Sequence, residues 1–323
     1  YPDALPSMPP VKKDPWLAGS AESTAWYAWL VPVTADDEKN GVFADYNIAP
    51  ALMTGAAVSL NVKGWTHLAF EYLTHVLEKE IRGRMDPGDR NKVMLDYAVR
   101  YRPSLVQRLF EANYLFTRVD VGRFNGTAVV APTFPAYVAQ QERVRAYFFL
   151  ADLLWMKSHG DVLLGGGVRL TEHKLPSIVY AVSGTQEAPF YSNPRLRDTR
   201  YRTVSLAFAA RDGSMLLARA GPTPFEQGSR FYLHEALLSK GYAEASNDLI
   251  GNAGGLCLTS DLDGGLRRDW HLWGTSVLAV SFGVRWNIML ATGNTGSKED
   301  NDEKTVSSRT MLLGPYARLM WAF

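Results

Sequence analysis

Cysteine is almost absent from the 323 residues: Cys257 stands alone, so no disulfide framework is possible. Long hydrophobic runs are missing too. A membrane helix needs about 18 apolar residues in succession, and the longest run, residues 146–156, is interrupted by Asp152. Charge of one sign is lacking as well. Basic side chains number 34 and acidic ones 33, a net charge of +1, which excludes charge-driven nucleic-acid binding. Metal-ligand spacing is absent, and no phosphate-cradling motif follows the lone Gly165-Gly166-Gly167. What remains is 46% hydrophobic residues, too many for a disordered chain, and an aromatic share of 12% with nine Trp.

The hydrophobic residues alternate. In residues 276–292, Leu278, Val280, Phe282, Val284, Trp286, Ile288 and Leu290 oppose Ala279, Ser281, Gly283, Arg285 and Asn287. At the chain end, Met311, Leu313, Pro315, Ala317, Leu319, Trp321 and Phe323 oppose Thr310, Gly314, Tyr316 and Arg318. Residues 64–76, 92–101, 110–116 and 201–210 repeat the period of two, which is that of a strand with two unlike faces. These segments exceed the usual strand of about 5–6 residues and match the about 9–11 residues that cross a bilayer at a steep tilt. Arg100, Glu111, Arg285 and Arg318 fall on the face opposite the apolar one, the hydrated lumen of a transmembrane barrel. A soluble sandwich would place them toward solvent instead.

Long polar stretches alternate with short ones. The long ones are residues 34–40, 78–91, 123–137, 185–200, 222–228, 260–265 and 293–308. The short ones are 63–64, 102–104, 158–160, 212–213 and 273–275, the Asp212-Gly213 pair being a hairpin signal. The predicted fold is therefore all-β: a transmembrane antiparallel up-and-down β-barrel of about 14 strands over residues 17–323. A flexible proline-rich segment, residues 1–16, precedes it. Residues 161–183 and 229–260 alternate poorly and fit a kinked strand and a loop with a short helix.

The first segment has prolines at 2, 6, 9, 10 and 15 and so favours extended conformers. At about 3.1 Å per residue its first fifteen residues could reach roughly 45 Å, beyond the roughly 30 Å hydrocarbon core. A displaceable pore plug is expected from Tyr1, Pro2, Asp3, Pro6, Pro9, Pro10, Lys12 and Lys13. With no Met or apolar leader at Tyr1, a removed signal peptide is expected. At the other end, Leu319, Trp321 and Phe323 are spaced by two on the apolar face and resemble the signal read by the barrel-assembly machinery.

Pore-lining positions expected from the alternation are Asp96, Arg100, Glu111, Arg143, Arg145, Asp152, Arg169, Arg285, Tyr316 and Arg318. Tyr27, Trp29, Tyr147 and Phe149 are further candidate lumen aromatics, with an interfacial girdle as the other reading of each. Mixed charge with aromatics suits neutral, hydroxyl-rich cargo. No catalytic residue, cofactor or metal is expected. The six His residues lie outside any nucleophile or paired-carboxylate element. His67 and His75 sit roughly 26 Å apart along one strand at about 3.3 Å per residue. The acidic run Glu299-Asp300-Asn301-Asp302-Glu303 reads as a solvated loop.

The proline-rich leader, the strand count and the in-phase terminal Phe323 together resemble the cyclodextrin-uptake outer-membrane porins. That resemblance implies a monomeric bacterial outer-membrane channel, set in outer-membrane lipid and lipopolysaccharide. It would pass bulky oligosaccharides, cyclodextrins above all, by passive diffusion as substrate displaces the leader. A barrel hydrolase acting on lipids or surface polymers is the alternative, and a closed barrel with an adhesive or structural role is a third reading.

Overall fold

The computed structural model describes residues 17–37, 42–63, 65–75, 79–84, 90–130, 140–159, 162–179, 182–185, 188–191, 195–212, 229–247, 251–272, 276–295 and 304–323. Among these residues every regular element is a strand: β1 (Leu17–Asp37), β2 (Val42–Val62), β3 (Thr66–His75), β4 (Lys79–Arg84), β5 (Arg90–Phe110), β6 (Asn113–Val130), β7 (Gln140–His159), β8 (Val162–Val179), β9 (Val182–Thr185), β10 (Ala188–Tyr191), β11 (Arg195–Asp212), β12 (Ser229–Asn247), β13 (Gly251–His271), β14 (Val277–Thr295) and β15 (Lys304–Ala322). Neighbours in sequence pair antiparallel, and β1 pairs with both β2 and β15, which closes the sheet into a barrel. Closure removes the unpaired edges that an open sheet of such length would expose.

β3 and β4 share one position between β2 and β5, and β9–β10 forms a separate hairpin. The barrel therefore has twelve strand positions, not about fourteen. The difference has a physical origin. The strands run to 21 residues, and polar positions inside them read as loops or turns. Residues 260–265 lie within β13, 102–104 within β5, and 123–130 within β6. In residues 110–116 the opposite error occurs: Glu111 and Ala112 are a turn between β5 and β6. The poorly alternating residues 229–247 are a strand, β12, and no helix occurs in their described part.

The outer wall carries a continuous apolar band. Leu206, Phe208 and Phe282 are 65%, 69% and 62% exposed, alternating with buried Ser205, Ala207 and Ser281. Trp65, Phe110, Trp155, Trp270, Trp321 and Phe323 border it at the end holding the described chain termini. Tyr27, Tyr101, Phe149 and Tyr242 border it on the other side. Charged residues stand exposed beyond both borders, with Lys63, Lys157 and His159 at one end and Arg123, Arg145, Arg202 and Glu244 at the other. Lys240 is an exposed cation inside the band, where its aliphatic stem allows the ammonium to reach toward the border.

The interior is filled in layers. Nearest the short turns, Val106, Tyr114, Phe116, Leu154, Met156, Leu163, Ala207, Ala209 and Leu237 form an apolar cluster on the walls β5–β8, β11 and β12. Gly165 and Gly167 let β8 approach β7 there. A Cβ at either position would come within 2.0 or 2.1 Å of the β7 carbonyl oxygens of Trp155 and Leu153. Trp26, Ala28, Leu73 and Tyr316 make a second cluster farther along the barrel.

Candidate functional site

A bulge in β12 creates the centre of the site. Leu233 pairs with Gly264 and Glu235 with Asp263, so His234 is an extra residue. One extra residue reverses which positions face inward. Tyr232 and Glu235 consequently both point into the barrel and are buried. The Glu235 carboxylate accepts Arg102 Nη2 at 2.7 Å and Arg211 Nη1 at 2.8 Å, and it also accepts Arg118 Nη1. Guanidinium groups from β5, β6 and β11 thus converge on one carboxylate of β12.

Further pairs cross the lumen beside it. Arg118 donates from Nε to Asp152 at 2.9 Å and reaches Asp261 at 3.3 Å. Arg169, fully buried, donates to Asp152 at 2.7 Å, to Asp261 at 2.6 Å and to the Thr259 hydroxyl at 2.8 Å. Both Arg285 Nη atoms meet the Glu71 carboxylate at 2.7 Å. Arg318 lies 2.8 Å from Asp263 and 2.8 Å from Glu22. Arg100 grips Asp120 with two donors. Aromatic faces support the cations: Arg211 lies 4.2 Å from the Phe116 ring centre, Arg318 4.7 Å from Tyr316 and Arg285 5.2 Å from Trp26.

These contacts close the lumen. β6 and β12, β5 and β12, and β3 and β14 are not neighbours in the sheet, yet side chains from each pair touch within hydrogen-bond distance. An open bore would hold their tips apart. Burying isolated charges costs several kcal/mol each, and the pairing offsets that cost. At the far end the wall is also pinched, since Val42 and Phe43 of β2 pair with Val179 and Ile178 of β8. The expected water-filled channel is therefore replaced, among the described residues, by an ion-pair belt above an apolar cluster. Beside the belt remains a cavity of about 80 Å³, bordered by charged, hydroxyl and apolar side chains.

Arg100, Asp152, Arg169, Arg285, Tyr316 and Arg318 face this interior, and all but Tyr316 belong to its ion pairs. Glu111 does not: it sits in the β5–β6 turn, exposed, with a left-handed φ of 43°. Arg145 does not either. On β7 the buried even positions Ala146, Leu150 and Asp152 face inward, leaving Arg145 exposed on the outer wall. Phe149 is likewise outward, as is Tyr27, while the inward aromatic of β1 is Trp26. The backbones of Asp96 and Arg143 lie in β5 and β7, but their side chains fall outside the described residues, as does Trp29's. The whole segment 1–16, with the expected plug residues, also lies outside them. Leu319, Trp321 and Phe323 are exposed on the outer wall, and the Trp321 and Phe323 rings lie 5.3 Å apart.

Arg102, Arg118, Glu235, Asp261 and Asp263 were not singled out from the sequence. A signal existed on β13, where Thr259, Asp261 and Asp263 alternate with Leu258 and Leu262. On β12 the bulge erased it. His173 is buried and stacks on Phe148 at 6.1 Å, whereas the side chain of His271 lies outside the described residues. Among the described residues no group of three or more His, Cys, Asp or Glu is placed to hold a metal ion.

Twelve antiparallel strands closed on themselves define the chain as a β-barrel protein with a polar, ion-paired interior. No protein-family model matches it, and no curated protein does. Among solved structures it is similar to the outer membrane protease OmpT from Escherichia coli (10% identity, 98% of this chain and 99% of that one, TM-score 0.41). It is also similar to the β domain of the Bordetella autotransporter BrkA (11%, 93% and 98%, TM-score 0.43) and to the Ralstonia pickettii toluene transporter TbuX (10%, 95% and 88%, TM-score 0.38). Likenesses this distant leave the architecture resting on the chain's own strand register.

Proposed function

We propose that this protein is a bacterial outer-membrane β-barrel whose lumen is a gated path for polar solutes, closed at rest by the ion-pair belt. The apolar outer band supports the membrane location. From Leu17 to Tyr27 on β1 is ten residue-to-residue steps, about 33 Å along the strand and about 25 Å vertically at a tilt near 40°, the height of the lipid-facing band in such barrels. Aromatic borders on both sides fit the two interfaces.

The shared carboxylates carry the gating reading. Arg118 touches Asp152, Glu235 and Asp261, and Arg102 lies within 4 Å of Glu71, Asp120 and Glu235. Partners can be exchanged without stranding a bare charge, which an apolar seal would not permit to a polar solute. Cargo rich in hydroxyl groups would replace the same hydrogen bonds. Cyclodextrin-sized oligosaccharides, with residues 1–16 as a displaceable plug and the protein acting as a monomer, are the finer form of this proposal. They would require the Arg118–Glu235 and Arg285–Glu71 bridges to separate. Planar-bilayer recording tests it: brief openings that sugars block at millimolar concentration are expected. A barrel that stays silent even when Glu235 is replaced would sink the transport reading and favour a sealed barrel acting through its surface.

A further inference from the structure

We infer that the cavity beside the ion-pair belt is a binding subsite for a small neutral polyol, or for the edge of a sugar ring. This rests on the transport reading above but concerns a distinct place in the lumen. The interior is filled unevenly. The apolar cluster occupies the walls β5–β8, β11 and β12, whereas β1, β2, β3 and β5 contribute Ser20, Ser59, Ala69 and Ser104 at one level of the barrel. Small side chains there leave the space of about 80 Å³, and the charged groups of the opposite wall border it.

Besides Arg318, whose Nε lies 2.8 Å from the Glu22 carboxylate, two of those groups have unused hydrogen-bonding capacity. Asp263 is 3% exposed; Arg318 takes its Oδ2, and its Oδ1 has no hydrogen-bond partner. Arg211 is 7% exposed; its Nη1 is engaged by Glu235, and its Nε is unpartnered. Both line the cavity. A buried polar atom left unpaired is destabilising, so a guest that these two bordering side chains turn to meet is favoured. The carboxylate oxygen needs a donor and the guanidinium N–H needs an acceptor. A hydroxyl group supplies either, and a pair of neighbouring hydroxyls supplies both. A charged guest is disfavoured, because the bordering Arg318 and Arg211 are already paired with carboxylates. The volume suits a three-carbon polyol or part of a sugar.

Saturation-transfer NMR on the detergent-solubilised protein, with glycerol and glucose as probes, tests the site. Wild type is expected to show transfer to both at millimolar concentration. Ala69→Leu, which fills the space without replacing a charged residue, is expected to weaken binding at least tenfold while heat-modifiable migration stays that of the folded barrel. Ser104→Val on another strand serves if Ala69→Leu does not fold. Absence of transfer in wild type, or equal transfer in the filled variants, overturns the subsite. Liposome swelling measured in parallel separates the two claims. Transfer that Ala69→Leu abolishes, with no swelling by wild type, keeps the subsite and removes transport. Swelling by wild type that the filled variants retain, with unchanged transfer, does the reverse.

Discussion

Glu235 is the residue on which the closed lumen most depends, because three guanidinium groups share its carboxylate. Glu235→Gln keeps the shape and removes the charge. Arg102 and Arg211 are then left with weakened partners in a buried setting, and breaking such an arrangement typically costs about 3–5 kcal/mol. The expected outcome is a lower denaturant midpoint for unfolding in detergent, together with more frequent channel openings in bilayers. An unchanged midpoint would show that water already screens the belt. Lys240 illustrates the opposite situation: it faces outward inside the apolar band, and its cost there is limited by the reach of its own stem. Alternation alone pointed to Arg100, Asp152, Arg169, Arg285 and Arg318 as inward residues. Their partners were harder to find, since an ion pair between β6 and β12 joins positions 117 residues apart, and no local pattern records which distant strand closes the ring.

At the scale of single elements, two irregularities decide the geometry. The β12 bulge at His234 turns both Tyr232 and Glu235 inward. Deleting His234 should restore strict alternation and rotate one of them onto the outer wall. The deletion variant is expected to lose either the Tyr232–Tyr316 hydroxyl contact of 2.7 Å or the Glu235 junction, and to fold with reduced heat-modifiable yield. The β5–β6 turn holds Glu111 at a left-handed φ of 43°, a conformation that costs a side-chain-bearing residue about 1–2 kcal/mol. Glycine removes that strain at some entropic cost. Glu111→Gly is therefore expected to raise stability by roughly 0.5–1 kcal/mol, read as a higher denaturant midpoint. Arg108 Nε donates to the Glu111 backbone carbonyl at 2.7 Å, so that bond survives the substitution. A fall in stability would place the side chain itself in the turn's support. In the sequence the same residue looked like a lumen charge, because Phe110, Ala112, Tyr114 and Phe116 keep the period of two straight through a turn.

For the molecule as a whole, the apolar outer wall separates a membrane barrel from a soluble one. Leu206 is 65% exposed and lies well within the band. On a soluble sheet Leu206→Arg would be nearly neutral. In the membrane location proposed above it faces lipid near the midplane, where the change is expected to cost about 2–4 kcal/mol, measurable as a fall in unfolding free energy in lipid vesicles. An effect within about 0.5 kcal/mol, the range for ordinary surface changes, would contradict the membrane location. Strand length bears on the same picture: 21 residues of β13 run about 70 Å, or about 50 Å vertically at the usual tilt, so the barrel stands well beyond a band of about 25 Å.

The sequence by itself determined the all-β class, the inward and outward faces of most strands, and the absence of a disulfide or helical solution. Each of these follows from local chemistry, because a strand shows its two faces within a few residues. Only the tertiary structure decided that there are twelve strand positions and that the lumen is spanned instead of open. Strand count depends on where turns fall, and in a barrel with a charged interior a run such as Asp261–Asp263 reads as loop from polarity alone. Occlusion depends on whether Arg118, Arg169 and Arg285 meet carboxylates from non-adjacent walls, which is a property of barrel closure and register that no stretch of sequence contains.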